Sequence, residues 1–395
     1  MTNKESQELG KKYYQDCYAQ VPICFQGGKG CRLIDMEGNS YLDCVGGIAV
    51  NALGYGNEEL SKKLKETIES GLLHCSNYFY NPHALHAAKL LVELSGLDRV
   101  FFCNSGAEAN EAALKLAKKY GKKDGRDGII SFTHSFHGRT MGALTATGQM
   151  KYQKEFLPLV PGFSYAEYNS VDSVKKLVDK NSVAIICEAM QGEGGIIPAT
   201  KEFLQGLRDL CDEHDLLLIF DEVQCGMGRT GKPFCWQHYG VEPDLMSVAK
   251  ALGCGIPAAA MVAGKKVSHL FVPGDHASTF GGGALAMTAS EVILSKLKDK
   301  DFLLQIEENG TYLRSLLGKL VLKYPKLCTG VRGLGLMDGL ILSASPKSVV
   351  EKCREQGLLV CSAGENVLRF VPPLVITKTE IDEAVAIVDK SLATL

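Results

Sequence analysis

The chain has 395 residues, 46% of them hydrophobic and 22% charged, with a formal net charge of −2. Such a length supports a large core and two domains, and the near-neutral balance gives no electrostatic footprint for nucleic acid or an anionic membrane. Met1 to Lys12 lacks an apolar signal core, no apolar run approaches a membrane span, and none of the 14 cysteines falls in a C-x-x-C pair, so the chain reads as a cytoplasmic protein with reduced thiols.

Up to Gly54, short strand signals alternate with turns. Gly27-Gly28-Lys29-Gly30 and Glu37-Gly38-Asn39 punctuate runs at Cys31 to Asp35 and Ser40 to Asp43, which predicts a small meander. Asn57 to Gly71 reads as a helix with Leu60, Leu64 and Ile68 on one face. His83 to Leu94 reads as another, opened by Asn81-Pro82. From Arg99 the pattern turns regular. Strands are expected at Val100 to Cys103, Gly128 to Phe132, Val183 to Cys187, Leu216 to Phe220 and Leu245 to Ala249. Helices are expected at Ala107 to Tyr120, Val171 to Asp179 and Lys201 to Glu213. This alternation predicts an α/β fold, a mostly parallel sheet flanked by helices, for a large domain over 55–288. Beyond it come helices at Ala284 to Leu297 and Phe302 to Leu322, a strand at Val331 to Leu342, a helix at Ser348 to Gln356, a strand at Val367 to Val371 and a helix at Glu380 to Leu392. With 1–54, the segment 289–395 is expected to form a smaller α+β domain.

Two strand ends carry the strongest chemical signal. Leu216 to Phe220 is uninterrupted apolar sequence that runs into Asp221, and the shorter run from Leu245 delivers Lys250 in the same way. In an open α/β sheet, ligands bind at the carboxyl ends of the strands, so both residues should face one crevice. An amine beside a carboxylate there suits an aldehyde cofactor with a pyridine ring; the plain alternative is a strand-end ion pair. Ser105 and Glu108 satisfy a capping box at a strand-to-helix turn, and the same turn, opened by Gly106 and Ala107, can cradle a phosphate. Phe136 can stack on a planar cofactor and Arg139 can grip a carboxylate; both could equally sit in an ordinary loop. Glu193, in a glycine-rich stretch, calls for a cationic partner, for which Arg369 is the candidate. Ser278 and Thr279 lie in a Gly-rich turn able to bind a phosphate or merely to connect. His134 and His137, like His83 and His86, are three apart, but without a third ligand at a sensible spacing no metal site is expected.

Together these stretches resemble the class III, ω-amino aminotransferases among the fold-type-I pyridoxal-phosphate enzymes, in particular the acetylornithine aminotransferases. The resemblance spans the whole chain: GIAVNALGYG, FFCNSGAEANEAALKLAKKYG, SFHGRTMGALTATGQ, EAMQGEGG, LLLIFDEVQCGMGRTG, SVAKALGCGIP, STFGG and VLRFVPPL follow in order. It implies that Lys250 is the Schiff-base lysine and later the general base, and that Asp221 pairs with the pyridinium of pyridoxal 5'-phosphate. Val223 and Phe136 are expected on the two ring faces, Gln224 near the ring hydroxyl, and Ser105, Gly106 and Ala107 on the phosphate. Ser278 and Thr279 are expected to reach the phosphate of a neighbouring subunit in a homodimer with shared sites. Arg139 resembles the clamp for the donor's α-carboxylate. Glu193 and Arg369 resemble a gate that opens when Arg369 takes the carboxylate of 2-oxoglutarate. The family pattern departs at Ala189, where most members have Pro, and at Gly283-Ala284, which replaces Asn-Pro. Gly46-Gly47-Ile48 lacks the tyrosine of ornithine aminotransferases, which tilts the expected donor to N2-acetylornithine. The product pair is then N-acetylglutamate 5-semialdehyde and glutamate, in arginine biosynthesis. Ornithine, succinylornithine, 4-aminobutyrate or acyl-lysine donors, and an aminomutase or epimerase on the same cofactor, are the alternatives.

Overall fold

The buried apolar runs assemble into one seven-stranded sheet. The computed structural model describes all 395 residues, Met1–Leu395. The spatial order is Arg99–Cys103, Ala259–Ala263, Leu245–Val248, Leu217–Asp221, Ser182–Cys187, Gly128–Phe132 and Phe163–Ala166. Only Ala259–Ala263 runs antiparallel to its neighbours. Alternate side chains enter two different cores. Leu217 and Ile219 pack with Ala113 and Leu116 of the helix Gly106–Gly121, whereas Leu218 and Phe220 share a cluster with Phe203 and Leu207 of the helix Lys201–Glu213. A strand buried on both faces has no polar side to offer, which is why this run reads as continuous apolar sequence.

Two further sheets flank this body. Phe25–Lys29, Arg32–Asp35 and Ser40–Asp43 form the expected antiparallel meander, and Leu358–Leu359 adds in parallel to its last strand. The N-terminal and C-terminal segments thereby meet, Leu42 opposite Leu358. The other sheet has the order Cys328–Leu334, Met337–Leu342, Val367–Phe370, Cys361–Ala363, all antiparallel. No helix is long and apolar enough to cross a membrane.

The structure corrects several expectations. Residues before Gly54 include a helix, Asn3–Tyr13, closed at its start by a Thr2–Glu5 capping box; none of its residues is buried, so it carries no apolar stripe. The helix expected to reach Asp179 spans only Val171–Lys175. The run Val331 to Leu342 is a hairpin, because Gly335 adopts φ +56° and reverses the chain between two strands. Phe163–Ala166 and Ala259–Ala263 are strands without a sequence-level counterpart. All fourteen cysteines are free.

Candidate active site

Asp221 and Lys250 reach the same crevice through strand register. Asp221 lies opposite Ser247 in the parallel pair, so Lys250 follows three residues beyond the level of the carboxylate. Lys250 itself sits at φ +49°, a left-handed conformation costly for a side chain with a Cβ and held here by the short helical turn Lys250–Gly253. Both residues line a cavity of about 400 Å³, together with Ser105, Gly106, Ala107, Phe136, Glu193, Val223 and Gln224.

Each charged group in this cavity has identifiable partners. Asp221 is 3% exposed. Its Oδ2 accepts from Nδ1 of His137 at 2.7 Å and from Nδ2 of Asn110 at 2.8 Å, and its Oδ1 accepts from the Val223 amide at 3.0 Å. Asn110 is fixed in turn, donating to the His137 carbonyl at 2.7 Å and accepting from the Ser247 hydroxyl at 2.6 Å. Burial pulls the Lys250 ammonium down to about 8, against the pull of Glu193 in the opposite direction. An amine so placed is far more often unprotonated than an ordinary lysine. Burial also pushes the Glu188 carboxyl up to about 7. Its oxygens accept from the amides of Phe136 at 3.0 Å and Gly192 at 3.1 Å, which pins the two loops forming the cavity's far wall.

At the margin stands a buried ion pair. Arg369 is 2% exposed, and its Nη1 lies 2.5 Å from Oε1 of Glu193 and 3.0 Å from Oε1 of Gln224. Gln224 completes the triangle by donating to Glu193 at 3.1 Å. Burial raises the Glu193 carboxyl, but the attraction and hydrogen bond of Arg369, with Lys250 and Gln224, together outweigh it and hold the carboxyl below its ordinary range.

The chain matches the family described as Aminotransferase class-III over residues 13–392. It belongs to the class-III aminotransferases. The acetylornithine aminotransferase of Caldanaerobacter subterraneus subsp. tengcongensis is 49% identical over 97% of this chain and 98% of its own. Among solved structures, ornithine aminotransferase from Toxoplasma gondii ME49 superposes with a TM-score of 0.94 at 32% identity, covering 100% of this chain and 96% of that one. N-acetylornithine aminotransferase from Stenotrophomonas maltophilia K279a gives 0.84 at 35% identity, covering 98% of each chain. The fold is therefore that of the fold-type-I enzymes, and the cofactor of this class-III aminotransferase is pyridoxal 5'-phosphate.

The cavity fits that group on its own terms. A Cβ on Gly106 would lie 2.7 Å from one Val223 methyl and 3.0 Å from the other, so the glycine keeps the helix start open. The first amides of a helix lack intrahelical acceptors and favour an anion. Ser105 occupies the cap, accepting from the Glu108 amide at 3.2 Å, so the capping box and the open helix start coexist.

Four expected site residues stand outside the lining. Arg369 reaches the cavity only through Glu193 and Gln224. Arg139 is exposed, with its guanidinium 4.0 Å above the Tyr152 ring and 5.4 Å from that of Phe136. Ser278 and Thr279 face a separate depression beyond Asn104, whose Nδ2 lies 3.2 Å from the Ser278 hydroxyl. Ala189 does not separate Glu193 from Arg369. Asn110, Glu188 and Ser247 escaped the sequence reading, which took His137 only as half of a histidine pair. Glu188 was within its reach, since it ends an entirely buried strand as Asp221 does. Asn110, a polar residue on the buried face of an alanine-rich helix, was the second available signal. Spacing also overlooked one group of metal-ligand type: Glu222, Cys225 and Cys235 converge within 4.8 Å, with the Glu222 oxygens engaged by the amides of Cys235 at 2.7 Å and Trp236 at 2.9 Å.

Proposed function

We propose that this enzyme moves the δ-amino group of N2-acetylornithine to 2-oxoglutarate, yielding N-acetylglutamate 5-semialdehyde and glutamate, as a cytoplasmic step of arginine biosynthesis. The observation that carries the proposal is the Glu193–Arg369 pair beside Lys250: a cation masked by an anion that can leave it. The 44–49% identity to acetylornithine aminotransferases over nearly their whole length supports the donor. Gly47 supports it too. It stands at φ +66°, a left-handed conformation unfavourable to a tyrosine at that position.

Pyridoxal phosphate, when bound, supplies an aldehyde that exchanges for the amino group and a ring that takes up an electron pair. Lys250 would engage the aldehyde and Asp221 would keep the ring nitrogen protonated, while Val223 and Phe136 bound its faces and Gln224 lies toward its hydroxyl. Ser105, Gly106 and Ala107 would hold the phosphate. The Lys250 Nζ would carry the proton between the donor's δ-carbon and the cofactor. Arg139 receives the donor's α-carboxylate. While the neutral aliphatic stem of the donor occupies the site, Glu193 neutralises Arg369; when 2-oxoglutarate enters, Glu193 withdraws and Arg369 takes its distal carboxylate in bidentate fashion. Ser278 and Thr279, outside their own cavity, serve the phosphate site of a second copy in a homodimer. The exposed Tyr78, Phe79, Tyr80 and Phe280 support that association. On this reading 55–288 is the cofactor-binding domain, and 1–54 with 289–395 the smaller one.

The test is a set of half-reactions with purified holoenzyme, following the bound cofactor's absorbance after mixing with N-acetylornithine, ornithine, succinylornithine or 4-aminobutyrate. N-acetylornithine should give the highest kcat/KM. Faster conversion by free ornithine would overturn the donor assignment, and retained turnover in Lys250→Ala would overturn the role of the lysine.

A further inference from the structure

The carboxylate-binding arginine has a second fastening that the mask does not share. The guanidinium Nε of Arg369 donates to the Sγ of Cys361 at 3.3 Å. This contact is fixed by sheet register, because Cys361 and Arg369 are direct partners in the antiparallel pair and so project from the same face. The strand on the other side offers no substitute. Arg369 lies opposite Gly339 there, and a Cβ at that position would fall 2.6 Å from a methyl of Val367. Arg369 is therefore flanked within its sheet by one side chain only, that of Cys361.

We propose that Cys361 is a positioning residue for the acceptor half-reaction: it holds the Arg369 guanidinium in plane when Glu193 withdraws. This rests on the reading of Arg369 as the 2-oxoglutarate clamp. With Glu193 in place, Arg369 Nη1 is tied to Glu193 and Gln224, and the Cys361 contact is one of three. With Glu193 gone, the thiol and Gln224 remain as the fixed points. A guanidinium held through Nε presents its two terminal nitrogens end-on, a fork matched to an incoming carboxylate. Sulfur is a weak acceptor, but its donor here is a buried cation, for which each lost partner matters more than at the surface. The donor half-reaction, in which Arg369 stays masked by Glu193, does not depend on this contact.

The experiment uses holoenzyme of wild type, Cys361→Ala, Cys361→Ser and Arg369→Ala, with the two half-reactions measured separately and melting temperatures taken alongside. Cys361→Ala should raise KM for 2-oxoglutarate about five- to tenfold, the size expected for one ordinary hydrogen bond because sulfur is a weak acceptor, and leave the N-acetylornithine half-reaction within about twofold. Cys361→Ser should recover part of the loss, because a hydroxyl also accepts from Nε. If Arg369→Ala raises KM for 2-oxoglutarate while Cys361→Ala does not, the inference about Cys361 falls and the clamp reading stands. If Arg369→Ala itself leaves that KM unchanged, the clamp reading fails and takes the inference with it. Equal losses in both half-reactions, in Ala and Ser variants alike, would mark a general packing defect and overturn the positioning role.

Discussion

Replacing Lys250 by methionine tests how much the fold gives up to keep an amine in the crevice. Burial lowers its pKa from the ordinary 10.5 to about 8. At about 1.36 kcal/mol per unit, the protein without cofactor carries a penalty of roughly 3 kcal/mol for this group. The sign follows from which state binds the proton better. Because the folded pKa lies below the unfolded one, the penalty is complete below pH 8, shrinks as pH rises from about 8 to 10.5, and is gone above that range. Methionine is unbranched, fills similar volume and carries no charge, so Lys250→Met should stabilise the cofactor-free protein near neutrality. With an unfolding entropy of about 2.1 cal/mol/K per residue over the whole chain, 3 kcal/mol corresponds to a rise in Tm of roughly 4 °C at pH 7. At pH 9.5 the rise should fall to less than half of that. Scanning calorimetry of both proteins, freed of cofactor and compared at the two pH values, reads the difference directly. A rise that is equal at both pH values, or larger at the higher one, would refute the attribution to a desolvated ammonium. The same shift has a chemical return: at pH 7 it raises the unprotonated fraction of the amine about 300-fold over that of an ordinary lysine.

Asp221→Asn keeps the shape but removes the charge that accepts from both His137 and Asn110; turnover should fall by about a hundred- to a thousandfold, the scale for losing one preorganised electrostatic contact. Turnover within threefold of wild type would contradict the pairing assigned to it. Gly106→Ala should drive the Val223 methyls, 2.7 and 3.0 Å from the new Cβ, toward the cavity. The expected result is a Kd for pyridoxal phosphate about tenfold higher, measured by absorbance titration, with unchanged helical circular dichroism. Gly310→Ala probes packing away from the site. Its Cβ would stand 1.6 Å from the Gly335 carbonyl oxygen, a backbone atom, so the usual gain of about 1 kcal/mol for Gly to Ala in a helix should reverse into a loss of several, read as a lower urea midpoint.

Asp221 and Lys250 were legible in the sequence because a strand buried on both faces leaves an uninterrupted apolar run, and the first polar residue after it is conspicuous. The rest depended on relations that a linear reading does not contain. The helix Asn3–Tyr13 buries no side chain and so writes no periodic stripe, although its capping box was there to be read. Ala259–Ala263 is dominated by alanine, which distinguishes neither strand from helix. His137 was visible only as half of an i, i+3 histidine pair suggestive of metal; its role as partner to Asp221 arises from a contact across 84 positions. Cys361 is similar, an unremarkable thiol until register sets it opposite Arg369. For Arg139, Ser278 and Thr279 the residues gave only generic readings and the specific roles came from the resemblance, and a single chain does not bring them into its own cavity.

Three carboxylates, Glu188, Asp221 and Glu222, end two neighbouring strands, and only Asp221 is the one proposed for the ring nitrogen. Glu188 and Glu222 are both buried and both pushed up to about 7 by that burial, and each accepts from two backbone amides. Near neutral pH a substantial fraction of each is uncharged, and each works as a fastener for loops: Phe136 and Gly192 in one case, Cys235 and Trp236 in the other. Asp221 immediately precedes Glu222 at the end of one strand and adjoins the strand that ends at Glu188, and it differs in its donors. It has two side-chain N–H groups on a single oxygen, one from an imidazole and one from an amide that Ser247 holds in orientation. Donors converging on one oxygen fix the carboxylate's orientation. The division of labour thus lies less in the acids themselves, which the sequence displays as equals, than in His137 and Asn110, which single one of them out.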